Sequence, residues 1–146
     1  MKRIFVMVAM VIYLGILLVP GGAQAFNPVD LEKLKTTKQC PRCDLNSADL
    51  SGVDLSHADL SQALLASANL SGANLNHASL GSANLLLANL TGATLNFADL
   101  ARTKFWEANL GGADLFRADL YLTDFSGATW TDGSKCKEGS IGTCNR

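Results

Sequence analysis

Basic residues are scarce where the chain is most regular. Between Cys43 and Asp132 only Arg102, Lys104 and Arg117 are positive, against nine Asp and one Glu, a net of −7. Gripping nucleic-acid phosphates takes clustered Lys and Arg, and this stretch has the opposite sign. Direct nucleic-acid binding is therefore excluded. Histidine occurs twice, as His57 and His77, which is too few ligands for a structural zinc site. There is no Ser/His/Asp arrangement, no phosphate-binding glycine loop and no cofactor fingerprint, so no catalytic residue, cofactor or metal is expected. After residue 25 there is also no long apolar run, so no membrane span is expected there.

The one long apolar run stands at the start. Lys2 and Arg3 precede an apolar stretch from Ile4 to Val19, which Pro20-Gly21-Gly22 breaks. Ala23-Gln24-Ala25 then supplies the small-x-small pattern of a secretory signal peptide, with cleavage expected after Ala25. The expected location is periplasmic or secreted. Removing 25 of 146 residues leaves one domain of 121, beginning at Phe26. In an oxidising compartment four cysteines read as disulfides rather than metal ligands. They form two close pairs, Cys40/Cys43 and Cys136/Cys144.

Between those pairs lies the dominant pattern. From Leu45 to Trp130 every fifth residue is large and apolar, eighteen positions without a break in phase. Ala stands two places before most of them and Asp or Asn one place before, as in Ala48-Asp49-Leu50-Ser51-Gly52. A period of five fits neither a helix nor a flat strand, so the chain must turn at a fixed interval. The large residue and the Ala point inward, and the remaining positions face water. No single repeat can bury its Leu, so stability comes from stacking coil on coil. Gly52, Gly72, Gly92 and Gly112 recur every 20 residues, as do His57 and His77, which implies four repeats per turn and a square cross-section. Gly127 departs from that spacing.

The motif A-(D/N)-L-x-x, repeated over residues 43–132, resembles that of the pentapeptide-repeat proteins. The resemblance implies an all-β solenoid, a right-handed quadrilateral β-helix with stacked Leu or Phe and a second inward stack of Ala. The flanks, Cys40-Pro41-Arg42-Cys43-Asp44-Leu45 and Trp130 to Cys136, resemble those of exported and thylakoid-lumen members. Eighteen repeats predict about 4.5 coils and a rod roughly 22 Å long. Residues 26–42 are expected to cap one end. There Asn27 is placed to cap a short helix, Pro28 suits its first position, and Leu31 and Leu34 share a face. Residues 133–146 are expected to close the other end with a disulfide between Cys136 and Cys144. Thr103 and Thr123 replace the inward Ala, each beside a central Phe. Leu64 and Lys104 replace Asp or Asn, and Leu64 is expected to lie beneath another element.

Most conspicuous residues are absorbed by this scaffold. Cys40/Cys43 has the spacing of a thioredoxin-type site but no βαβ context, so a structural disulfide is expected, with a thiol-redox role as an alternative. His57 and His77 form a solvated column continuing as Phe97 and Arg117. Asn69, Asn89 and Asn109 form an amide ladder. What the ladder does not require is a set of outward apolar residues in the later coils: Leu86, Leu87, Phe97, Trp106, Phe116, Tyr121 and Leu122. They fall on three sides and avoid the Ser/Gly column. Either they form an interaction surface or the termini cover them. The expected function is a non-catalytic exported scaffold or interaction module, with Leu86, Phe97, Trp106, Phe116 and Tyr121 meeting a protein or envelope partner. The resemblance implies one further alternative, a DNA-mimic inhibitor or protector of a type II topoisomerase.

Overall fold

The computed structural model describes residues 26–146. The expected signal peptide, residues 1–25, lies outside the described residues. The first element is a short helix, α1 (Pro28–Thr37), and its limits follow from its ends. The Asn27 side chain accepts a hydrogen bond from the Val29 N–H at 3.0 Å, Pro28 opens the helix, and Lys38 closes it in the left-handed conformation. Leu34 is fully buried and Leu31 partly so, hence the apolar face lies on the coil below.

From Gln39 onward the chain winds through parallel bridges between residues 20 apart, beginning with Gln39↔Asp59 and ending with Asn109↔Thr129. Bridges recur every five residues, so each coil has four sides. Around Leu70 the bonding is complete: its N–H donates to Asn89 O at 2.7 Å and the Gly72 N–H donates to Thr91 O at 2.9 Å. The Asn69 N–H donates to Ala48 O at 2.9 Å, and the Ala73 N–H closes the turn on Leu70 O at 3.0 Å. Three bonds per repeat thus join neighbouring coils and one makes the corner. Each side contributes a single bridging residue because turning consumes the other four.

The third residue of every corner has positive φ, from 54° at Glu107 to 70° at Gly112. Gly adopts this freely, and Gly127 does so at a different corner from Gly52 to Gly112, so its break in spacing leaves the five-residue phase intact. Other residues pay about 1–2 kcal/mol there. That strain is offset by a bond that only this conformation aims outward, such as Ser67 N–H to Leu86 O at 2.8 Å.

Asp or Asn before each central residue has an equally local cause. Its carboxylate or amide oxygen accepts the N–H two residues on, as Asp59 does from Ser61 at 3.0 Å and Asn89 from Thr91 at 3.1 Å. The amides also link coils, with Asn69 donating to Asp49 at 3.1 Å and Asn89 to Asn69 at 3.4 Å. Asn109 instead holds the Gly111 N–H at 3.0 Å. Inside, central Leu residues from Leu45 to Leu110 and most of the Ala stack are buried. Thr103 and Thr123 enter the core with their hydroxyls bonded to Leu80 O at 2.7 Å and Leu100 O at 2.8 Å. A second lone pair on each carbonyl satisfies a buried hydroxyl, so the polar atom costs little.

The C-terminal tail turns back on the last coil in antiparallel bridges, Thr129↔Lys135 and Asp124↔Ile141. Both cysteine pairs are bonded, Cys40 to Cys43 and Cys136 to Cys144, with Cα separations of 5.3 and 5.0 Å. Leu64 corrects one expectation. It is 42% exposed, because no element crosses its side of the rod among the described residues.

A candidate interaction surface on the C-terminal coils

The outward apolar residues separate into two clusters set by the 20-residue column. Leu86 and Trp106 stand one above the other and line a shallow hollow of about 140 Å³ with Glu107, Ser126 and Glu138. The Trp106 side chain is hydrogen-bonded to the Asp124 carboxylate, and Lys104 Nζ lies 5.9 Å from its ring centre. Trp106 is thus fixed by its edge while its face stays 46% exposed.

The second cluster grows from the histidine column. His57 stacks on His77 at 4.9 Å and His77 on Phe97 at 5.0 Å, the rings within 3° of parallel. Phe116 then meets Phe97 edge to face at 5.8 Å. The Arg117 guanidinium covers both, 5.9 Å from Phe97 and 5.4 Å from Phe116. The column expected to be merely solvated is therefore a ring stack. Among the described residues no group of three His, Cys, Asp or Glu side chains converges on it to hold a metal.

Tyr121 (62% exposed) and Leu122 (47% exposed) lie on the next corner, and the Arg102 N–H donates to Tyr121 O at 2.8 Å. The termini do not cover these residues; only Glu138 of the tail reaches the Trp106 hollow. Leu86 is half-buried rather than fully outward. Ile141, missed in the sequence because it lies outside the repeats, is exposed in the same 20-residue column as Tyr121. All three cations of the repeats stand beside exposed apolar residues. Cys40 and Cys43 are buried, which leaves their sulfurs no approach for a dithiol partner.

Four carboxylates are held below their ordinary range. Asp49 is lowered chiefly by hydrogen bonds from Ser51, Asp54 by the Lys38 ammonium at 2.9 Å and by Ser56, and Asp132 by Ser134 with Arg146 adding charge. At Asp124 partial burial opposes ionisation, but bonds from Ser126 and Trp106 outweigh it. Each group binds fewer protons folded than unfolded, so its contribution is present above the ordinary carboxylate pKa and is lost as pH falls. The thermal midpoint should stay level from about pH 7 to about pH 5 and fall below about pH 4. A midpoint that rises on acidification would contradict this assignment.

Among the described residues no helix is long and apolar enough to cross a membrane. No match was found among curated proteins. A family model described as pentapeptide repeats matches residues 43–80, 68–106 and 95–129. Among solved structures the chain is similar to HetL, a pentapeptide repeat protein involved in heterocyst differentiation regulation from the cyanobacterium Nostoc sp. strain PCC 7120. The two share 38% identity over 66% of this chain and 51% of that chain, with a TM-score of 0.58. This chain thus spans about half the length of HetL. It is also similar to a pentapeptide repeat protein from the Arabidopsis thaliana thylakoid lumen, at 30% identity over 66% of this chain and 72% of the other, with a TM-score of 0.34. With its repeat matched from residue 43 to residue 129, the chain belongs to the pentapeptide repeat family, whose members fold as right-handed quadrilateral β-helices.

Proposed function

We propose that this protein is a non-catalytic scaffold or interaction module, exported to the periplasm or beyond, that binds a protein or envelope partner through its C-terminal coils. The observation that carries this reading is the concentration there of exposed Phe97, Trp106, Phe116 and Tyr121 beside Arg102, Lys104 and Arg117. Aromatics with Arg are the composition of binding hot spots, whereas an isolated exposed Leu means nothing. The Asp and Asn residues are spent on corners and ladders, which removes the obvious candidates for acid–base chemistry. Export is supported by two disulfides in a small domain, a feature of oxidising compartments. Mimicry of DNA has less support. From Leu60 to Ala98 there is no Asp, Glu, Lys or Arg, whereas a duplex presents a charge about every 1.7 Å.

Replacing Trp106, Phe116 and Tyr121 together by Ser should leave the fold intact, with stability changed by about 1 kcal/mol or less, because their outer faces meet only water. The variant should lose the partner that the unaltered protein captures from an envelope fraction. If it unfolds instead, these side chains support the coil and the interface reading fails.

A further inference from the structure

The two ends of the rod are finished differently. At the N-terminal end α1 buries Leu34 against the coil, and Leu50 and Leu55 beneath are 0% and 1% exposed. The Asp30 carboxylate accepts the Asp44 N–H at 2.9 Å, and Lys38 O accepts the Asp59 N–H at 2.8 Å. Asp49 and Asp54 put charge on the remaining sides, which discourages strand pairing there.

At the C-terminal end the tail covers only two of four sides. It satisfies Phe125 N–H through Ser140 O, Trp130 N–H through Ser134 O, and the carbonyls of Thr123 and Ala128 through Gly142 and Cys136. Residues 113–122 make up the other two sides. In every lower coil the N–H groups in these positions donate to the segment about 20 residues on, as Leu95 does to Asp114 O and Phe97 to Phe116 O. Among the described residues, nothing accepts from the N–H groups of Leu115, Arg117, Leu120 and Leu122, and nothing donates to the carbonyls of Ala113 and Ala118. The core beneath is open as well. Leu115, Ala118 and Leu120 are only partly buried, whereas their counterparts Leu95, Ala98 and Leu100 are buried.

We propose that this two-sided step takes an extended segment of a partner protein, added as one more half-coil. The proposal rests on the reading of the chain as an interaction module and specifies where and how it binds. Strand addition to an unpaired edge supplies affinity through the main chain and specificity through alternate side chains. The edge dictates the pattern of its occupant: carbonyls to meet four N–H groups, two N–H groups to meet the Ala113 and Ala118 carbonyls, and two large apolar side chains five residues apart to cover Leu115 and Leu120. Phe116, Tyr121, Leu122 and Ile141 rim the step and remain exposed for the occupant's outward residues. The tail stands one layer above the other two sides, so a slender chain fits beside it where a blunt rod end meets the tail first.

A peptide with the sequence of residues 93–102, which lie directly beneath the open edge, is the probe. Hydrogen exchange on the purified chain should find the amides of Leu115, Arg117, Leu120 and Leu122 exchanging fast alone and slowed at least tenfold at saturating peptide. N-methylation of the peptide at the positions of Thr94 and Asp99 removes the two donated hydrogen bonds and should weaken binding by about tenfold or more. Equal binding of the methylated peptide would overturn strand addition. So would protection in the free chain: if independent of concentration, the chain covers its own edge; if it grows with concentration, the occupant is a second copy. Should the probe fail while partner capture still depends on Trp106, Phe116 and Tyr121, the edge is excluded and the interaction surface stands.

Discussion

Phe105→Ala is expected to destabilise the protein by about 3–5 kcal/mol, read as a lower denaturant midpoint with an unchanged slope. Phe105 is completely buried and stacks on Phe125 with ring centres 5.3 Å apart and planes 14° from parallel. Trp130 then meets Phe125 edge to face at 4.9 Å, so three aromatic rings fill the interior where the rod ends. Truncation leaves a hole that the walls cannot close, because the inter-coil hydrogen bonds fix the spacing of the coils above and below. Phe105→Leu restores the residue that the repeat itself prefers and should cost well under half as much, since most of the apolar volume remains. A loss of less than about 1 kcal/mol for the Ala variant would mean that the last coils contribute little to global stability. In a stack held by nearest-neighbour contacts that outcome is a specific alternative, for it would place the cooperative unit N-terminal to Leu85.

The core was legible because one period governs it. Every inward residue from Leu45 to Phe125 follows from counting in fives, and the side count of four follows from Gly52, Gly72, Gly92 and Gly112. The termini of α1 were legible too, since Asn27 and Pro28 carry their own local chemistry. The origin of the Asp and Asn positions was not. Counting shows that they recur, but only the bond from Asp59 to the Ser61 N–H shows that the recurrence is turn chemistry. Leu64 shows the opposite limit: an apolar residue at an outward position suggests a cover, and nothing in a repeat tells which sides the termini cross.

The candidate surface divides along the same line. Phe97, Trp106, Phe116 and Tyr121 could be picked out because they violate a strict pattern. Their grouping could not, because the contacts run between coils: Leu86 to Trp106 along a column, and Phe97 to Phe116 across a corner. The open edge was invisible for a further reason. It depends on the tail turning back antiparallel at Thr129 and Asp124, a reversal outside the repeat that no periodicity encodes. Residues the ladder requires are thus explained by sequence, and those that set specificity are placed by the ends.

Replacing Cys136 and Cys144 together by Ala should cost about 2–3 kcal/mol, the chain-entropy value for a nine-residue loop. The structure makes the tail a larger lever than that figure alone suggests. Four short bonds attach it to the last coil: Phe125 N–H to Ser140 O at 2.8 Å, Trp130 N–H to Ser134 O at 2.7 Å, Cys136 N–H to Ala128 O at 2.9 Å and Gly142 N–H to Thr123 O at 2.7 Å. Glu138 and Ile141 at its turn are exposed, so little apolar burial holds the loop once the crosslink is gone. Fraying should appear first as faster exchange at the Phe125, Cys136 and Gly142 amides, by about fiftyfold if the lost stability is local. Removing Cys40 and Cys43 by the same substitution should cost less, about 2 kcal/mol, because the loop is shorter and α1 keeps its own cap and buried Leu34. A larger effect at the N-terminal pair would show that α1, rather than the tail, is the end on which the rod depends. With the tail frayed, the open edge would extend from two sides to all four and expose Phe125. The C-terminal variant alone should then associate as its concentration rises, since an uncovered solenoid end is a template for pairing.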